Sequence, residues 1–573
     1  MALIKLPKTD VVVIGLGAAG GVAVLPLARA GLRVVGLEAG GWFQPEDHLP
    51  DEIRNNVRNW PHAVQKANRE VPTARNGPNG PALPRPAYHP MMNGVGGTSL
   101  HYWAQSWRLK DWDFKVRSET LRRYGPSAIP QGSTVEDWPL SYEELEPYYD
   151  KVEYAIGVSG KAGNIRGTID QAGNIFESPR QREFPMPPLR SAGLADKMAA
   201  AARRLGWHSF PPPAAINSVP RNDRSACFYH GFCGRGGCPV SAKNSTAVTT
   251  IPEAMATGNL QVVPHAHVIA LDSDNQGRVT GVRYVKENQE YFQPAEVALL
   301  ASYTYENTRL LLLSKSSAYP KGLSNNHGQV GLHYISHSQG WGAWYGVVGL
   351  FPFDVNRWYG TPAQGTAIDD WADDNFDHAG LGFIGGGSIH VPMELKPIEA
   401  ASMSTFGKAP RWGSSWKAFV KQNAGRWVAT YTQVSTFPYE DHFLDLDPEV
   451  KDPLGYPVCR VTVSLKENEK RAMLFIQGKA EQWLREAGAI AVERAPLAAI
   501  AINTHAYGGT RMGDNPETNV VNRWGFSHEA PNLGILGASV MGTSGARNPT
   551  LTAQALAWRT AEHLVTEWKS IAL

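Results

Sequence analysis

A glycine-rich turn between two apolar segments constrains the fold of this chain more than any other feature. Asp10–Ile14 is a β-branched run of the kind found in buried parallel strands. It leads directly into the sequence GLGAAG at 15–20, and a helix-compatible segment follows to about Ala30. Leu32–Leu37 is a second apolar segment, and Glu38 follows it, eighteen residues after the last glycine of the turn. This order predicts a parallel strand–helix–strand unit.

Each part of this unit has a mechanical role. Gly15 permits a tight turn, Gly17 lets the backbone approach a pyrophosphate, and Gly20 allows close packing of helix and strand. The start of the helix then faces the phosphates, and Glu38 can accept hydrogen bonds from a ribose. The segment therefore predicts a dinucleotide site. The turn alone does not distinguish NAD from FAD, but Ala39 and two further glycines after Glu38, and the position of the turn near the N-terminus, favour FAD.

Composition excludes several classes of protein. The chain has 573 residues, of which 42% are hydrophobic and 19% charged, so it can build packed cores and is not disordered. The formal net charge is only +2 and no long basic run is present, which argues against a nucleic-acid partner. Four cysteines in a chain of this length exclude a disulfide scaffold.

Residues 11–28 are uncharged and could be misread as a membrane span or a signal peptide. They contain four glycines and Pro26, and the nucleotide-binding turn explains them better. We therefore expect no intrinsic membrane span. The absence of a signal predicts a cytoplasmic location, with periplasmic export alongside a partner as the alternative.

Further motifs lie far apart along the chain. They are a second glycine turn, VGGTS at 95–99, the sequence AKNST at 242–246, THAYGGTRMG at 504–513 and NPTLTAQALAWRTA at 548–561. Together with the first turn and Glu38, they resemble the glucose–methanol–choline family of flavoproteins over most of the chain. The resemblance implies FAD and the oxidation of alcohols. The cysteine segment and residues 137–153 are most similar to large subunits of bacterial sugar and gluconate dehydrogenases.

The resemblance also implies which residues contact the cofactor. They are Gly15, Gly17, Ala19, Gly20, Glu38, Ala39, Gly96, Gly97, Thr98, His101, Tyr102, Trp103, Val268, Ala301, Gly537, Ala538 and Thr550. In some relatives a histidine after the second glycine turn is bonded to the flavin 8α carbon. Here that residue is His101, and the alternative is a histidine that packs near the ring without a bond.

The expected chemistry needs a hydride acceptor and a group that removes the hydroxyl proton. Flavin N5 supplies the first, and a histidine suits the second because its pKa lies near neutrality. His505 occupies the position of the family's catalytic histidine, and Asn548 matches a second position that is His or Asn. We predict that His505 is the general base and that the Asn548 amide orients the substrate oxygen.

Three cysteines fall within twelve residues. Cys227, Cys233 and Cys238 have the spacing C-x5-C-x4-C with glycines between the second and third. Three thiolates in tight turns suit a [3Fe–4S] cluster, which dehydrogenases of the sugar type use to pass single electrons to a cytochrome subunit. Structural free thiols are an equally open interpretation. Zinc, with His230 as a possible fourth ligand, is a third.

We predict an α/β fold, α+β overall, that combines a Rossmann-like FAD domain with a substrate domain on an antiparallel sheet. Separate segments form the FAD domain, namely 1–110, 225–335 and 500–573. Residues 110–225 form a covering segment and 340–500 the substrate domain. Expected strands include 260–268, 281–285 and 296–301 in the first domain, and 342–348, 380–384 and 427–432 in the second.

The predicted activity is FAD-dependent oxidation of a secondary or hemiacetal alcohol of a sugar, glycoside or sugar acid to the ketone or lactone. Hydride passes to flavin N5, His505 takes the proton, and the electrons go to a non-oxygen acceptor such as a partner subunit or cytochrome. The alternatives are an oxygen-reducing oxidase of the same fold and a dehydrogenase of a non-sugar alcohol.

Overall fold

Two large sheets organise the chain, one mostly parallel and the other antiparallel. The computed structural model describes residues 3–58, 71–84, 91–337, 346–403, 410–497 and 504–572. Helices cover both sheets, and the fold is mixed α/β, as the sequence predicted.

Five parallel strands form the centre of the first sheet. Their order across the sheet is Leu260–Val263, Val34–Leu37, Thr9–Ile14, Gln289–Leu300 and Leu533–Ile535. Numbered along the chain this order is 3-2-1-4-5, the arrangement of nucleotide-binding folds. In such a sheet the ligand crevice lies where the strand order reverses, at the carboxyl ends of the first and fourth strands. The first glycine turn follows the first strand directly.

Strand Gln289–Leu300 belongs to two different pairings. Its first half pairs antiparallel with Val279–Lys286, which in turn pairs with His267–Ser273. Its second half enters the parallel sheet between Thr9–Ile14 and the late strand Leu533–Ile535. A short strand, Ile4–Lys5, pairs with the first half. One continuous strand therefore joins an antiparallel meander to the nucleotide-binding sheet.

Helix Ala18–Arg29 follows the first glycine turn and is buried along most of its length. It consists of small and aliphatic residues, and it ends before Gly31, whose φ of +84° only glycine adopts without strain. It packs against Thr250–Ala256 and Thr550–Thr566, and the latter also packs against Tyr142–Ile156. These contacts hold the N-terminus of Ala18–Arg29 at the crevice.

The second sheet has six antiparallel strands. In order they are Ala491–Arg494, Val347–Leu350, Trp427–Val434, Gly387–Pro392, Gly365–Ile368 and Ser209–Phe210. Helices Gly193–Arg204 and Glu467–Glu486 pack on it and on each other. The buried Trp483 links the two helices, since its indole N–H donates to the Met198 carbonyl at 2.8 Å.

Smaller elements complete the described chain. A four-stranded sheet has the order Phe443–Lys451, Pro457–Val463, Thr73–Asn76 and Leu83–Pro84, and two strand pairs join Ile335–Ser336 to Ala506–Tyr507 and Asn164–Ile165 to Thr168–Ile169. The remaining helices are Ile53–Val57, Asp111–Phe114, Val116–Tyr124, Thr304–Leu313, Pro397–Met403, Gly413–Asn423 and Trp568–Ala572. Single 3₁₀ turns lie at Pro45–Asp47, Gly97–Leu100, Pro126–Ala128, Thr246–Val248, Ala424–Arg426 and Ala538–Val540. Among the described residues no helix combines the length and apolar character needed to cross a bilayer.

Two strand predictions were wrong for local reasons. The segment 260–268 is not one strand, because His265 adopts φ +58° and separates Leu260–Val263 from His267–Ser273. The segment 380–384 forms no strand, because Gly380 and Gly382 lie at φ +74° and +71°. The strand predicted at 427–432 is present as Trp427–Val434. The predicted domain boundaries remain predictions.

Candidate functional site

The first glycine turn sits at the crevice that the topology defines. Gly15 has φ +90°, and a methyl group on it would stand 2.7 Å from the Ala301 carbonyl oxygen. Helix Ala18–Arg29 begins after Gly17, and its first turn contains no acidic residue. The helix therefore presents its first N–H groups and the positive end of its dipole to the crevice, which suits an anionic group.

Glu38 ties the end of the second strand to both glycine turns. Its Oε2 accepts from the Leu16 amide at 3.0 Å. Its Oε1 accepts from the amides of Gly40 and Gly94, each at 3.0 Å. The buried carboxylate thus satisfies three backbone donors of the crevice wall. Its predicted bond to a ribose would use the same carboxylate and remains a prediction.

The second glycine turn lies directly on the first. The Gly96 amide donates to the Leu16 carbonyl at 2.8 Å. Gly97 has φ +55°, and a methyl group on it would stand 2.7 Å from the Gly17 Cα atom. Only glycine fits this approach. The two turns therefore form one cradle, which we define as residues 15–17 and 94–98.

The residues after the second turn lead toward the antiparallel sheet. His101 is buried, and this burial lowers its pKa to about 3, so the imidazole is neutral at physiological pH. The Tyr102 hydroxyl donates to the Asn244 carbonyl at 2.9 Å. Trp103 packs edge-on against Tyr431, with ring centroids 4.5 Å apart. The segment therefore bridges the cradle and strand Trp427–Val434.

Other predicted cofactor residues lie around the same crevice. The Ala301 amide donates to the Ile14 carbonyl at 2.8 Å, and the Cα–H face of Gly537 lies against the Ala19 side chain. The Ala538 carbonyl accepts from the Gly508 amide at 3.2 Å. The positions of the remaining ones follow from the elements: Gly20 lies in the first helix, Ala39 follows Glu38, Thr98 lies in a 3₁₀ turn, Val268 lies in strand His267–Ser273, and Thr550 begins helix Thr550–Thr566.

His505 and Asn548 meet although 42 residues separate them. The Asn548 Nδ2 atom lies 3.1 Å from His505 Nε2. The Asn548 Oδ1 atom accepts from the Gln433 amide at 2.8 Å. Burial, followed by the nearby His337, holds the pKa of His505 well below its ordinary value, so the imidazole is neutral at physiological pH. A neutral imidazole beside an amide can accept a proton from a hydroxyl that contacts both groups.

A charged cluster anchors the loop that carries Asn548. The neighbouring Arg547 is buried, and its Nη2 atom lies 3.0 Å from Asp369 and 3.5 Å from Asp373. Burial and the Asp373 charge raise the pKa of the adjacent Asp113 well above its ordinary value. Removing either partner of such a buried pair leaves an uncompensated charge, so the cluster fixes the loop in place.

Comparison with known proteins identifies the family. Two GMC oxidoreductase models match residues 133–337 and 438–557. A gluconate 2-dehydrogenase flavoprotein from Pantoea cypripedii is 30% identical over 97% of this chain and 94% of its own length. The chain belongs to the GMC oxidoreductase family. It is therefore an oxidoreductase that acts on CH–OH donors.

Two further comparisons concern this GMC oxidoreductase. The large subunit of a fructose dehydrogenase from Gluconobacter japonicus is 27% identical over 98% of both chains. The crystal structure of pyridoxine 4-oxidase from Mesorbium loti superposes with a TM-score of 0.59 at 16% identity, covering 97% of this chain and 99% of that one. At that identity the superposition establishes the fold alone.

Sequence reasoning missed His337 and Gln433. His337 is fully buried, with its Nδ1 atom 2.9 Å from His505 Nδ1. It reaches His505 because strand Ile335–Ser336 pairs with Ala506–Tyr507, a contact between segments far apart in sequence. No local pattern around either residue indicates such a partner. An alternating strand pattern at 427–434 could only have placed Gln433 on one face of its strand.

The three cysteines at 227–238 each accept a hydrogen bond from a different neighbour. The thiol sulfurs of Cys227 and Cys238 accept from the amides of Tyr229 at 3.4 Å and Ala242 at 3.3 Å. The Cys233 sulfur accepts from the Thr361 hydroxyl at 3.3 Å. Burial and the neighbouring Cys233 raise the pKa of Cys227 to about 12. In the part of the chain that the structure describes, no three His, Cys, Asp or Glu side chains are arranged to hold a metal ion. The described arrangement shows no metal centre, and the iron–sulfur and zinc assignments remain predictions.

Proposed function

We propose that this GMC oxidoreductase binds FAD and oxidises a secondary or hemiacetal alcohol of a sugar, glycoside or sugar acid, passing the electrons to an acceptor other than oxygen. The His505–Asn548 contact of 3.1 Å carries the proposal, because it joins a neutral imidazole and an amide in one site. The gluconate and fructose dehydrogenase relatives support the substrate class.

The cradle fits the dinucleotide part of FAD. Two glycine turns approach so closely that a Cβ atom at Gly97 would collide with Gly17. This leaves backbone N–H groups, rather than side chains, facing the crevice beside a helix N-terminus. Gly15, Gly17 and Gly97 would hold the pyrophosphate, and Glu38 would lie at the ribose. FAD, when bound, supplies the acceptor for the hydride that leaves the carbinol carbon.

His505 and Asn548 supply the acid–base and positioning parts of the reaction. The substrate hydroxyl binds where His505 Nε2 and the Asn548 amide converge. His505 Nε2 takes the hydroxyl proton as the C–H bond breaks. The Asn548 N–H donates to the substrate oxygen and holds the carbinol in one orientation. Gln433 donates to Asn548 Oδ1, so the Nδ2 group of Asn548 faces His505 Nε2 and the substrate oxygen.

The fate of the electrons is part of the proposal. One relative is named as a large subunit, which supports a partner subunit or cytochrome as acceptor.

We propose a cytoplasmic location, with export alongside such a partner as the alternative that fractionation would test.

The decisive experiment is a screen of the purified chain with monosaccharides, glycosides and aldonic acids, using a redox dye without oxygen and then oxygen alone. We expect dye-linked turnover with at least one of them and little peroxide. His505→Ala should lower kcat by about 10²-fold or more while FAD remains bound. The matched control is His327→Ala, because His327 is exposed and pairs with Glu517 at the surface.

Peroxide formation equal to dye reduction would instead identify an oxidase. Near-normal turnover in the His505→Ala variant would reject the imidazole as base. Purified protein without flavin absorbance, and unable to take up added FAD, would reject the proposal as a whole.

A further inference from the structure

We propose that His337 is a positioning residue that fixes the ring tautomer of His505 and so leaves Nε2 of His505 as the base. This inference rests on the proposed function, because it assigns a role within the same site. It starts from one carbonyl group, that of Gly545, which lies 2.8 Å from His337 Nε2.

The direction of the hydrogen bonds follows from that carbonyl. A carbonyl oxygen only accepts, so His337 Nε2 must carry the proton. Burial lowers the pKa of His337 to about 4, so the ring is neutral and its other nitrogen has none. His337 Nδ1 is therefore an acceptor, 2.9 Å from His505 Nδ1.

The same reasoning extends to His505. To donate to His337, His505 must carry its proton on Nδ1. In the neutral ring the lone pair is then on Nε2, the atom that faces the Asn548 amide at 3.1 Å. The Asn548 donor points to Nε2, and its oxygen accepts from Gln433 at 2.8 Å. The four hydrogen bonds therefore all donate in the same direction, from Gln433 through Asn548, His505 and His337 to the Gly545 carbonyl.

The opposite direction fails at one identifiable point. If both amides were turned over, His505 would donate from Nε2 and would need a proton from His337 Nδ1. His337 Nε2 would then present a lone pair to the Gly545 carbonyl at 2.8 Å, with no proton between two acceptors. A doubly protonated His337 would avoid this, but its low pKa opposes that state. The backbone carbonyl therefore decides which nitrogen of His505 is free to react.

Several charged and titratable groups surround His337. His505 and Tyr507 contact it directly, with the Tyr507 hydroxyl 3.3 Å from His337 Nε2. The Asp373 carboxylate raises the pKa of His337 and the Arg547 guanidinium lowers it, both by less than burial does. The Asp373 charge opposes burial but does not outweigh it, and the Arg547 charge acts in the same direction as burial, so His337 remains a neutral acceptor over the ordinary pH range.

Three substitutions at His337 separate positioning from packing. His337→Leu removes the acceptor and should lower kcat by about 10- to 100-fold, because His505 then also populates the tautomer with Nε2 protonated. KM should change by less than about threefold, since the reacting alcohol meets the opposite ring nitrogen of His505. His337→Asn places an amide oxygen near the position of Nδ1 and should recover most of the loss.

His337→Asp gives the sharpest kinetic signature. A carboxylate also accepts from His505 Nδ1, but its charge raises the pKa of His505. Because the base must be unprotonated, the acidic limb of the kcat–pH profile should move to higher pH. A change in packing alone would lower kcat without moving that limb. The matched control is His333→Asn, which removes a half-buried imidazole of the same segment that bonds Thr134 instead. His333 has φ +59°, a conformation that asparagine tolerates.

A measurement independent of turnover completes the test. Histidine labelled with ¹⁵N reports by NMR which ring nitrogen is protonated, with or without FAD. His505 should show Nδ1–H in the parent protein and a mixed state in the His337→Leu variant. Nε2–H in the parent would overturn the inference, as would equal losses of kcat in all three variants with unmoved pH profiles. If the parent oxidised no alcohol, the proposed function would fail while the NMR result still judged the role of His337.

Discussion

The His505 site and the cysteine segment at 227–238 both carry chemically capable residues, yet they are built differently. Around His505, the segments near 337, 433 and 548 converge, and four successive hydrogen bonds connect Gln433 Nε2 to the Gly545 carbonyl. The three thiols of the cysteine segment instead accept from three separate neighbours. Residues far apart in sequence thus share one hydrogen-bonded site at His505, whereas the closely spaced cysteines each have a different hydrogen-bond partner.

The largest loss of FAD binding and turnover should follow a substitution in the cradle. Gly97→Ala forces a methyl group to within 2.7 Å of the Gly17 Cα atom, so we expect FAD retention and turnover to fall below detection. Flavin absorbance after gel filtration measures this. Gly77→Ala is the matched control, because Gly77 has a similar φ of +70° with open space around it. Equal flavin loss in both variants would show that backbone strain, rather than the close approach of the turns, is responsible.

Within the His505 site, Asn548→Leu should cause the next largest loss of activity. It removes the donor that holds the substrate oxygen, and kcat should fall by about 10²-fold with FAD still bound. Asn548→His keeps a donor and should retain turnover within about tenfold of the parent. Steady-state kinetics with the preferred alcohol tests both. A His variant as slow as the Leu variant would contradict a role for the donor.

The pH dependence of kcat tests the protonation state of His505. Because the pKa of His505 is lowered, the base is already unprotonated at neutral pH and stays so below its ordinary pKa of about 6.5. We therefore expect kcat to vary by less than about twofold between pH 6 and 8 and to fall only in more acidic solution. A clear loss of kcat between pH 8 and 6, with the flavin bound, would show that the imidazole is not held in this way.

The smallest effect should come from the cysteines. Burial raises the pKa of the Cys227 and Cys233 thiols, and each of the three cysteines has a different hydrogen-bond partner. We therefore expect that replacing Cys227, Cys233 and Cys238 together with serine changes dye-linked kcat by less than about threefold. Cys459→Ser is the control for loss of a buried thiol, because Cys459 lies in strand Pro457–Val463, away from the cysteine segment. If the parent has broad absorbance beyond that of flavin, and the triple variant loses both this absorbance and turnover, the iron–sulfur prediction is correct and the contrast between the two regions disappears.

Local signals account for what the sequence could predict. The strand–turn–helix unit at 9–29 and the strand Trp427–Val434 follow from contiguous patterns. The predictions at 260–268 and 380–384 failed because residues with positive φ interrupt these apolar segments: His265 in the first, Gly380 and Gly382 in the second. No periodicity reveals such a residue when it is a histidine.

Only the site residues that lie in sequence motifs could be predicted. His505 and Asn548 were found because each lies in a recognisable segment. His337 was not, because its contact depends on the pairing of Ile335–Ser336 with Ala506–Tyr507, and long-range pairing has no local signature. The direction of the hydrogen bonds required the position of the Gly545 carbonyl, which only coordinates provide.

The placement of strand Leu533–Ile535 beside Gln289–Leu300 has a consequence for biosynthesis. During translation the nascent chain must extend past Leu533–Ile535 before the fifth parallel strand can dock. Until then the apolar edge of the preceding strand lacks its neighbour and is open to aggregation. Maturation of this flavoprotein should therefore be late, with cofactor captured only after the fifth strand has emerged and paired.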